Sequence, residues 1–359
     1  MKAAVCVEFG KPLMIEDLVL ASPSADEVRV RIDACAICHS DIIYADGGWG
    51  GSLPMVLGHE ASGTVIEVGD GVEGVEAGDY VVVTLIRHCG DCRYCDRGDD
   101  VICDATFPLD EQSPLTSASG ETIYQAMRTG AFAEEVVVGA SQVCPVPTEI
   151  PADCASLLAC GVLTGVGAVT NTAGVSPGAD IVVIGIGGVG MNTIQGAVLS
   201  EANSVIAIDL IDDKLETAEF FGATHTINSM SEDPVAAVRE LTGGNGADFV
   251  FVTVGAKAPI DQSVQMLANG GSAVVVGIPE SGVITEYDPV ELASRGQRIV
   301  GSKMGSARVR EDIPRLTKLY EEGRLKLDEL ISGRYALDEI NDAIAATKSG
   351  QSLRNVIVF

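Results

Sequence analysis

Ile181-Val-Val-Ile-Gly-Ile-Gly-Gly-Val-Gly190 reads as an apolar strand that runs directly into a G-x-G-x-x-G turn. Glycines at positions 185, 187 and 190 permit a tight turn, a close approach of the backbone to a pyrophosphate, and close packing of a following helix on the strand. A helix is predicted from about Val189, and its first amides would face phosphate oxygens. A second strand ends in Asp209, 19 residues past Gly190. An acidic group there accepts the ribose hydroxyls of NAD and repels the 2'-phosphate of NADP. Gly185, Gly187, Gly190 and Asp209 therefore form a candidate NAD site, and a glycine turn in an unrelated α/β domain is the plainer alternative. Lys214 has two readings, a brace on the same ribose or a solvated helix charge.

Outward from this turn, short apolar strands alternate with helical stretches. Six strands are predicted, at 181–184, 205–208, 224–227, 249–254, 272–276 and 298–301, the number of a doubly wound parallel sheet. The first part of the chain has a different rhythm. Alternating segments at 28–32, 63–68 and 80–83, separated by Gly and Asp, predict a small, partly open β-barrel. Two helices, 311–322 and 338–348, stop at Gly323 and Gly350, and a last strand at 355–359 is expected to rejoin the first domain. The expected domains are 1–161 with 303–359, and 162–302, in keeping with a length of 359 residues.

Composition narrows the function. The formal charge of −28, from 51 acidic against 23 basic residues, repels phosphate backbones and anionic lipid, so neither nucleic acid nor a membrane is an expected partner. Only eight residues are Lys, which points to a salt-adapted source. The N-terminus shows no signal or membrane-spanning pattern, so the cytoplasm is the expected location. In a reducing compartment, ten cysteines are better explained by metal and buried thiols than by bridges.

Cys89, Cys92, Cys95 and Cys103 are spaced C-x2-C-x2-C-x7-C, a pattern that suits a closed tetrahedral zinc site. Four protein ligands leave no position for substrate, so this site reads as structural. Cys38, His59 with Glu60, and Cys160 form a second candidate set. Two thiolates and one imidazole leave the fourth zinc position open, as a catalytic ion requires. Taken singly, each of these cysteines is more often core than ligand. Gly63 stands where H-E-x-x-H would need its second His, which removes a metalloprotease reading. Cys35 forms C-x2-C with Cys38 and has a redox pair as its alternative reading.

Ala34-Cys-Ala-Ile-Cys-His-Ser-Asp41, Gly58-His-Glu-Ala-Ser-Gly63, the cysteine quartet, Ala159-Cys-Gly-Val-Leu-Thr-Gly165, the glycine turn and Ser352-Leu-Arg-Asn-Val356 occur in one order along nearly the whole chain. Together they resemble the zinc-containing medium-chain alcohol dehydrogenases. The resemblance implies a GroES-like barrel domain, an inserted Rossmann domain, the catalytic zinc in the cleft between them, and two zinc ions per subunit. It makes Cys38, His59 and Cys160 ligands and Glu60 a carboxylate that exchanges with the water of the metal. Asp41 would hold the His59 imidazole, Ser40 would relay the proton, and Thr164 would pack near the nicotinamide. His39 and Arg354 would contact the pyrophosphate. Ordinary packing hydroxyls or surface charges are the plainer readings of Ser40, Thr164, His39 and Arg354.

The implied reaction is reversible hydride transfer between a primary alcohol or its aldehyde and NAD. Ile43 departs from the family pattern, because many relatives carry there the histidine that continues the proton path from Ser40. Trp49 and Leu85 fall where the family lines its substrate pocket, which suggests an apolar or aromatic alcohol; Trp49 reads equally well as core. A glutathione-dependent formaldehyde or polyol dehydrogenase is the alternative on the same scaffold, although Trp49 and Phe107 replace the polar contacts that glutathione adducts need. A non-catalytic zinc and NAD binding protein is the alternative of a different class. The segment 104–131 resembles the loop of dimeric members, so a homodimer is expected.

Overall fold

The computed structural model describes all residues, Met1–Phe359, and the chain divides into two compact units, Met1–Gly161 with Arg308–Phe359, and Val162–Ala307. The first unit opens with ten strands: β1 (Lys2–Cys6), β2 (Met14–Leu20), β3 (Glu27–Ala36), β4 (Met55–Val56), β5 (Glu60–Val68), β6 (Tyr80–Thr84), β7 (Leu115–Ser117), β8 (Thr122–Gln125), β9 (Glu135–Gly139) and β10 (Val143–Pro145). The second unit supplies β11 (Asp180–Ile184), β12 (Ser204–Asp209), β13 (His225–Asn228), β14 (Ala247–Val252), β15 (Leu267–Val275) and β16 (Arg298–Gly301). The chain then returns to the first unit with β17 (Ile331–Tyr335) and β18 (Arg354–Val358).

In the first unit β1-β2-β7-β8-β4 close into a ring, and a seven-stranded sheet runs β10-β6-β5-β3-β18-β17 with β9 paired to β3. One core joins them, from Ala3 and Val5 through Val28, Val30, Ile32 and Val65 to Leu115, Ile123 and Phe132. Alternation explains the faces. Along β3, Val28, Val30 and Ile32 point inward while Arg29 and Arg31 point out. Strand β18 pairs antiparallel with β3, Val356 opposite Ala36, so the end of the chain forms part of the sheet that carries the first metal-ligand candidates. The expected barrel is present, with more strands than the alternating segments alone indicated. The short strands β4, β7 and β8 are too brief to give a readable period.

The six predicted strands of the second unit all form, in the order β13-β12-β11-β14-β15-β16, and every pairing is parallel. This is the doubly wound arrangement, with the strand order reversing beside β11. Near-continuous apolar runs such as Ile181 to Ile184 reflect burial on both faces.

Several glycines are dictated by close approach. A Cβ on Gly63 would lie 2.0 Å from the Arg31 carbonyl oxygen, across the β3–β5 pairing. Backbone on both sides cannot yield as a side chain tip can. Gly63→Ala is therefore expected to lower the melting temperature by several degrees, equivalent to roughly 1–3 kcal/mol; an unchanged thermal unfolding curve would contradict this packing.

Candidate active site

Cys38 follows β3 as the N-cap of the helix His39–Ala45, His59 immediately precedes β5, Glu60 begins it, and Cys160 precedes the helix Gly161–Gly167. The ligand atoms of these four residues lie within 4.8 Å of one another, and all four residues are buried. Two neighbouring strands and two helix starts thus bring together side chains up to 122 positions apart, from Cys38 to Cys160.

Asp41 holds this cluster in shape. It is buried, and its Oδ2 accepts the Cys38 N–H at 3.0 Å while its Oδ1 accepts the Gly58 N–H at 2.9 Å. The same Oδ1 lies 3.1 Å from His59 Nδ1. A carboxylate on Nδ1 keeps the proton there and leaves Nε2 with its lone pair. His59 Nε2 is buried without a hydrogen-bond partner. An unsatisfied buried acceptor costs about 1–3 kcal/mol, and a cation at that nitrogen removes the cost. One imidazole and two sulfurs are the donor set zinc prefers, so the residues fit the ion.

The two thiols have diverging acidities. Cys38 is held well below the usual range because the Cys160 thiol donates to it and His59 favours its charge, against the effect of burial. Cys160 is raised well above that range as the donor of the pair, and burial adds to the rise. A divalent cation would ionise both. Burial pushes the Glu60 carboxyl up to about 7, with the Arg354 guanidinium opposing the shift. Glu60 Oε1 stands 3.4 Å from Arg354 Nη1, and its Oε2 accepts the Gly161 N–H at 3.3 Å. Arg354, expected over a pyrophosphate, is placed by the structure inside this cluster, only 4% exposed. A Cβ on Gly161 would lie 1.9 Å from its Nη2. The pairing of Arg354 with Glu60 was not readable from the sequence, because 294 residues separate them.

Ser40 occupies the first turn of the helix His39–Ala45, half-buried beside Cys38, and His39 is exposed at the start of that helix. Ile43 follows on the same helix. Trp49 is half-buried edge-on to Tyr44, with ring centroids 6.0 Å apart. Leu85 is half-buried just past β6. Two guanidinium groups, Arg87 and Arg128, each stand 5.6 Å from the centre of the Phe107 ring. Thr164 belongs to the second unit, where its hydroxyl donates to Met304 Sδ at 3.7 Å.

The four cysteines of the quartet converge. Cys92–Cys95, Cys103–Cys89, Cys92–Cys103 and Cys89–Cys95 have Sγ separations of 3.5, 3.6, 3.9 and 4.0 Å. No pair is a disulfide. A tetrahedral ion with Zn–S bonds of about 2.3 Å has sulfur–sulfur edges of roughly 3.8 Å, so the thiols stand where such an ion would hold them. Arg308 fastens the lobe from the start of the helix Val309–Glu321, donating from Nε to the Gly98 carbonyl at 3.1 Å. Sequence spacing gave no sign of this clamp.

In the second unit the glycine turn has the predicted form. Gly185 has φ +91°, and a Cβ on Gly190 would sit 2.1 Å from the Gly185 carbonyl oxygen. A Cβ on Gly187 would meet nothing within 4 Å, so the turn is open where a phosphate would approach. Thr253 donates to the Gly185 carbonyl at 2.5 Å and braces the turn from β14. Asp209 accepts the N–H groups of Ile186, Leu210 and Ile211 at 2.6, 2.7 and 3.2 Å. Its carboxylate is fixed at the end of β12 beside the turn. Lys214 lies in the helix Asp212–Phe221 that follows.

Comparison with known proteins agrees with this geometry. Residues 24–148 match the alcohol dehydrogenase GroES-like domain and residues 188–322 match the zinc-binding dehydrogenase domain. An NDMA-dependent alcohol dehydrogenase of Amycolatopsis methanolica is 38% identical over 99% of this chain and 98% of its own. The class-3 alcohol dehydrogenase of Cereibacter sphaeroides is 36% identical over 100% and 99%. Among solved structures, the benzyl alcohol dehydrogenase of Acinetobacter calcoaceticus superposes with a TM-score of 0.93 at 32% identity, over 100% of this chain and 99% of that one. The chain belongs to the zinc-containing medium-chain alcohol dehydrogenase family. It is an oxidoreductase with the fold of that family.

The Asp41 contacts carry a measurable consequence. Asp41→Asn is expected to weaken metal binding at Cys38, His59 and Cys160 by about 10- to 100-fold while the quartet keeps its ion. Metal content per chain after dialysis against a chelator checks this, and equal loss from both sites would contradict it.

Proposed function

We propose that this zinc-dependent alcohol dehydrogenase interconverts primary apolar or aromatic alcohols and their aldehydes, with NAD as the hydride carrier and two zinc ions per subunit. The orphaned Nε2 of His59, aimed among two thiols with its tautomer set by Asp41, is the observation that carries this reading. Bound zinc supplies Lewis acidity toward a hydroxyl or carbonyl oxygen, and NAD accepts the hydride.

The chain's own residues do the rest. Cys38, His59 and Cys160 hold the ion, and Asp41 orients the imidazole. Ser40, next to Cys38, takes the proton from the substrate hydroxyl. Ile43 cannot pass it on, so the proton leaves Ser40 through water or the cofactor ribose. Glu60 and Arg354 face each other at the ligand cluster, where the Glu60 carboxylate would stand beside a held ion. The amides after Gly187 receive the pyrophosphate, aided by His39. Asp209 accepts the ribose hydroxyls, with Lys214 beside it, and repels the 2'-phosphate of NADP. This preference is open to direct test, since one structural neighbour, from Sinorhizobium meliloti, is described as bound to NADP at 25% identity.

Trp49 and Leu85 favour an apolar or aromatic substrate, in line with the benzyl alcohol dehydrogenase neighbour. The S-(hydroxymethyl)glutathione dehydrogenase of Paracoccus denitrificans, 34% identical over 100% of this chain, supports a second reading in which the alcohol is a glutathione adduct of formaldehyde. Two further features complete the proposal. Apolar side chains stand exposed in the second unit, Ile284 at 77% and Val290 at 71%, and support a homodimer formed through that unit. Free thiols throughout support a cytoplasmic location, and no helix is long and apolar enough to cross a membrane.

Benzyl alcohol, hexanol, sorbitol and hydroxymethylglutathione, each with NAD, NADP or NDMA as acceptor, test the substrate and cofactor together. The expected result is the highest kcat/KM with benzyl alcohol or hexanol and NAD; a higher value with hydroxymethylglutathione would establish the second reading. Cys38→Ala or His59→Ala should reduce turnover below detection, and near-normal activity in either variant would refute the metal assignment. Asp209→Ser is expected to raise kcat/KM with NADP relative to NAD by at least about tenfold, or roughly 1.4 kcal/mol of discrimination.

A further inference from the structure

The cysteine lobe contains a second cluster, which shares Cys95 with the quartet. His88, Cys95 and Asp100 present one imidazole nitrogen, one sulfur and one carboxylate oxygen within 4.8 Å of one another. His88 is fixed through its backbone, whose N–H donates to Ser141 Oγ at 3.1 Å. Its Nε2 stands 3.9 Å from Asp100 Oδ2, beyond hydrogen-bond reach. Its Nδ1 is buried without any partner. Neither ring nitrogen therefore makes a hydrogen bond with Asp100 or at Nδ1, although the ring is only 21% exposed and a carboxylate faces it.

Electrostatics favours a cation here. Four thiolates around one dication leave a net charge of about −2 on the quartet, and Asp100 adds to it at short range. The chain as a whole carries −28, so no general surplus of positive charge opposes a second ion. Arg97 of the lobe is engaged with Asp99 at 3.2 Å. A thiolate sulfur retains lone pairs after binding one metal, so Cys95 is able to bridge two. Sulfur, imidazole and carboxylate in one set select a borderline-soft divalent ion such as Zn2+ or Co2+ over Mg2+ or Ca2+.

We propose that His88, Cys95 and Asp100 form an additional divalent-cation site, which shares the Cys95 sulfur with the quartet and completes its coordination with water. This inference rests on the quartet holding its own ion and is independent of the alcohol chemistry. With three protein ligands and a shared sulfur, the site binds more weakly than the quartet and exchanges with free metal.

The test reads the increment in metal on adding Zn2+ alone to the holoprotein as purified, so it does not depend on turnover. Equilibrium dialysis against Zn2+ with metal analysis of the protein should show one further ion per chain. His88→Ala and Asp100→Asn should each weaken that uptake at least about tenfold while leaving the as-purified metal count unchanged. Addition of Co2+ should give a thiolate-to-metal charge-transfer band in the unaltered chain and not in His88→Ala. No added ion in the unaltered chain would overturn the proposal. So would uptake that persists in both variants, because such an ion sits on the acidic surface, and so would loss of an as-purified ion in His88→Ala, because His88 would then serve the quartet itself.

Discussion

Asp41 is the buried carboxylate on which the ligand cluster depends. Its two oxygens bind the backbone of Cys38, the backbone of Gly58 and the ring of His59. They fix the ends of two segments, the exit from β3 and the entry to β5, and set the side-chain tautomer that presents a lone pair to a metal. Without it, two backbone N–H groups and a ring N–H would be left buried and unpaired, at about 1–3 kcal/mol each. The same three contacts thus serve folding and chemistry. They explain why a seven-residue helix as short as His39–Ala45, marginal by itself, begins at a defined residue.

Charge balance explains the neighbouring pair. A buried charged group is tolerated only when its surroundings neutralise it. Two ligand thiolates would balance a dication, which would leave no positive charge for Glu60. Arg354 supplies it from β18, 3.4 Å away. The strand pairing of β18 on β3 is what carries that guanidinium to the site, and Gly161 lacks the Cβ that would exclude it. The C-terminal strand therefore has an electrostatic part in the centre as well as a place in the sheet. An isolated buried ion pair contributes little stability against well-packed apolar residues, so position beside the metal ligands accounts for this one better than stability does.

Legibility in the sequence followed the range of the interactions. The central parallel strands β11 and β12 were readable because they are buried on both faces and appear as apolar runs, and Gly185, Gly187 and Gly190 because turn geometry is local. The quartet was readable for the same reason, with all four sulfurs inside one short loop. Asp41 entered only through resemblance to a family, since nothing local links it to His59. Arg354 with Glu60, Arg308 with Gly98 and Thr253 with Gly185 were not readable as contacts. Each joins distant segments through a side chain whose type has many ordinary uses. The short strands of the closed ring escaped because two to four residues cannot display a period.

The two candidate metal clusters differ in solvation. All four residues around Cys38 are buried, whereas each quartet cysteine is only partly covered. Inside the buried cluster a low dielectric strengthens the influence of an ion on any bound oxygen, and it also makes the empty cluster costly, with His59 Nε2 unsatisfied. In the lobe, water reaches the thiols, so an ion there would tie the loop together and exert less force on neighbouring groups. The buried three-ligand set suits chemistry better than the quartet for two physical reasons: it would leave a coordination position open, and it withholds the water that would otherwise screen an ion.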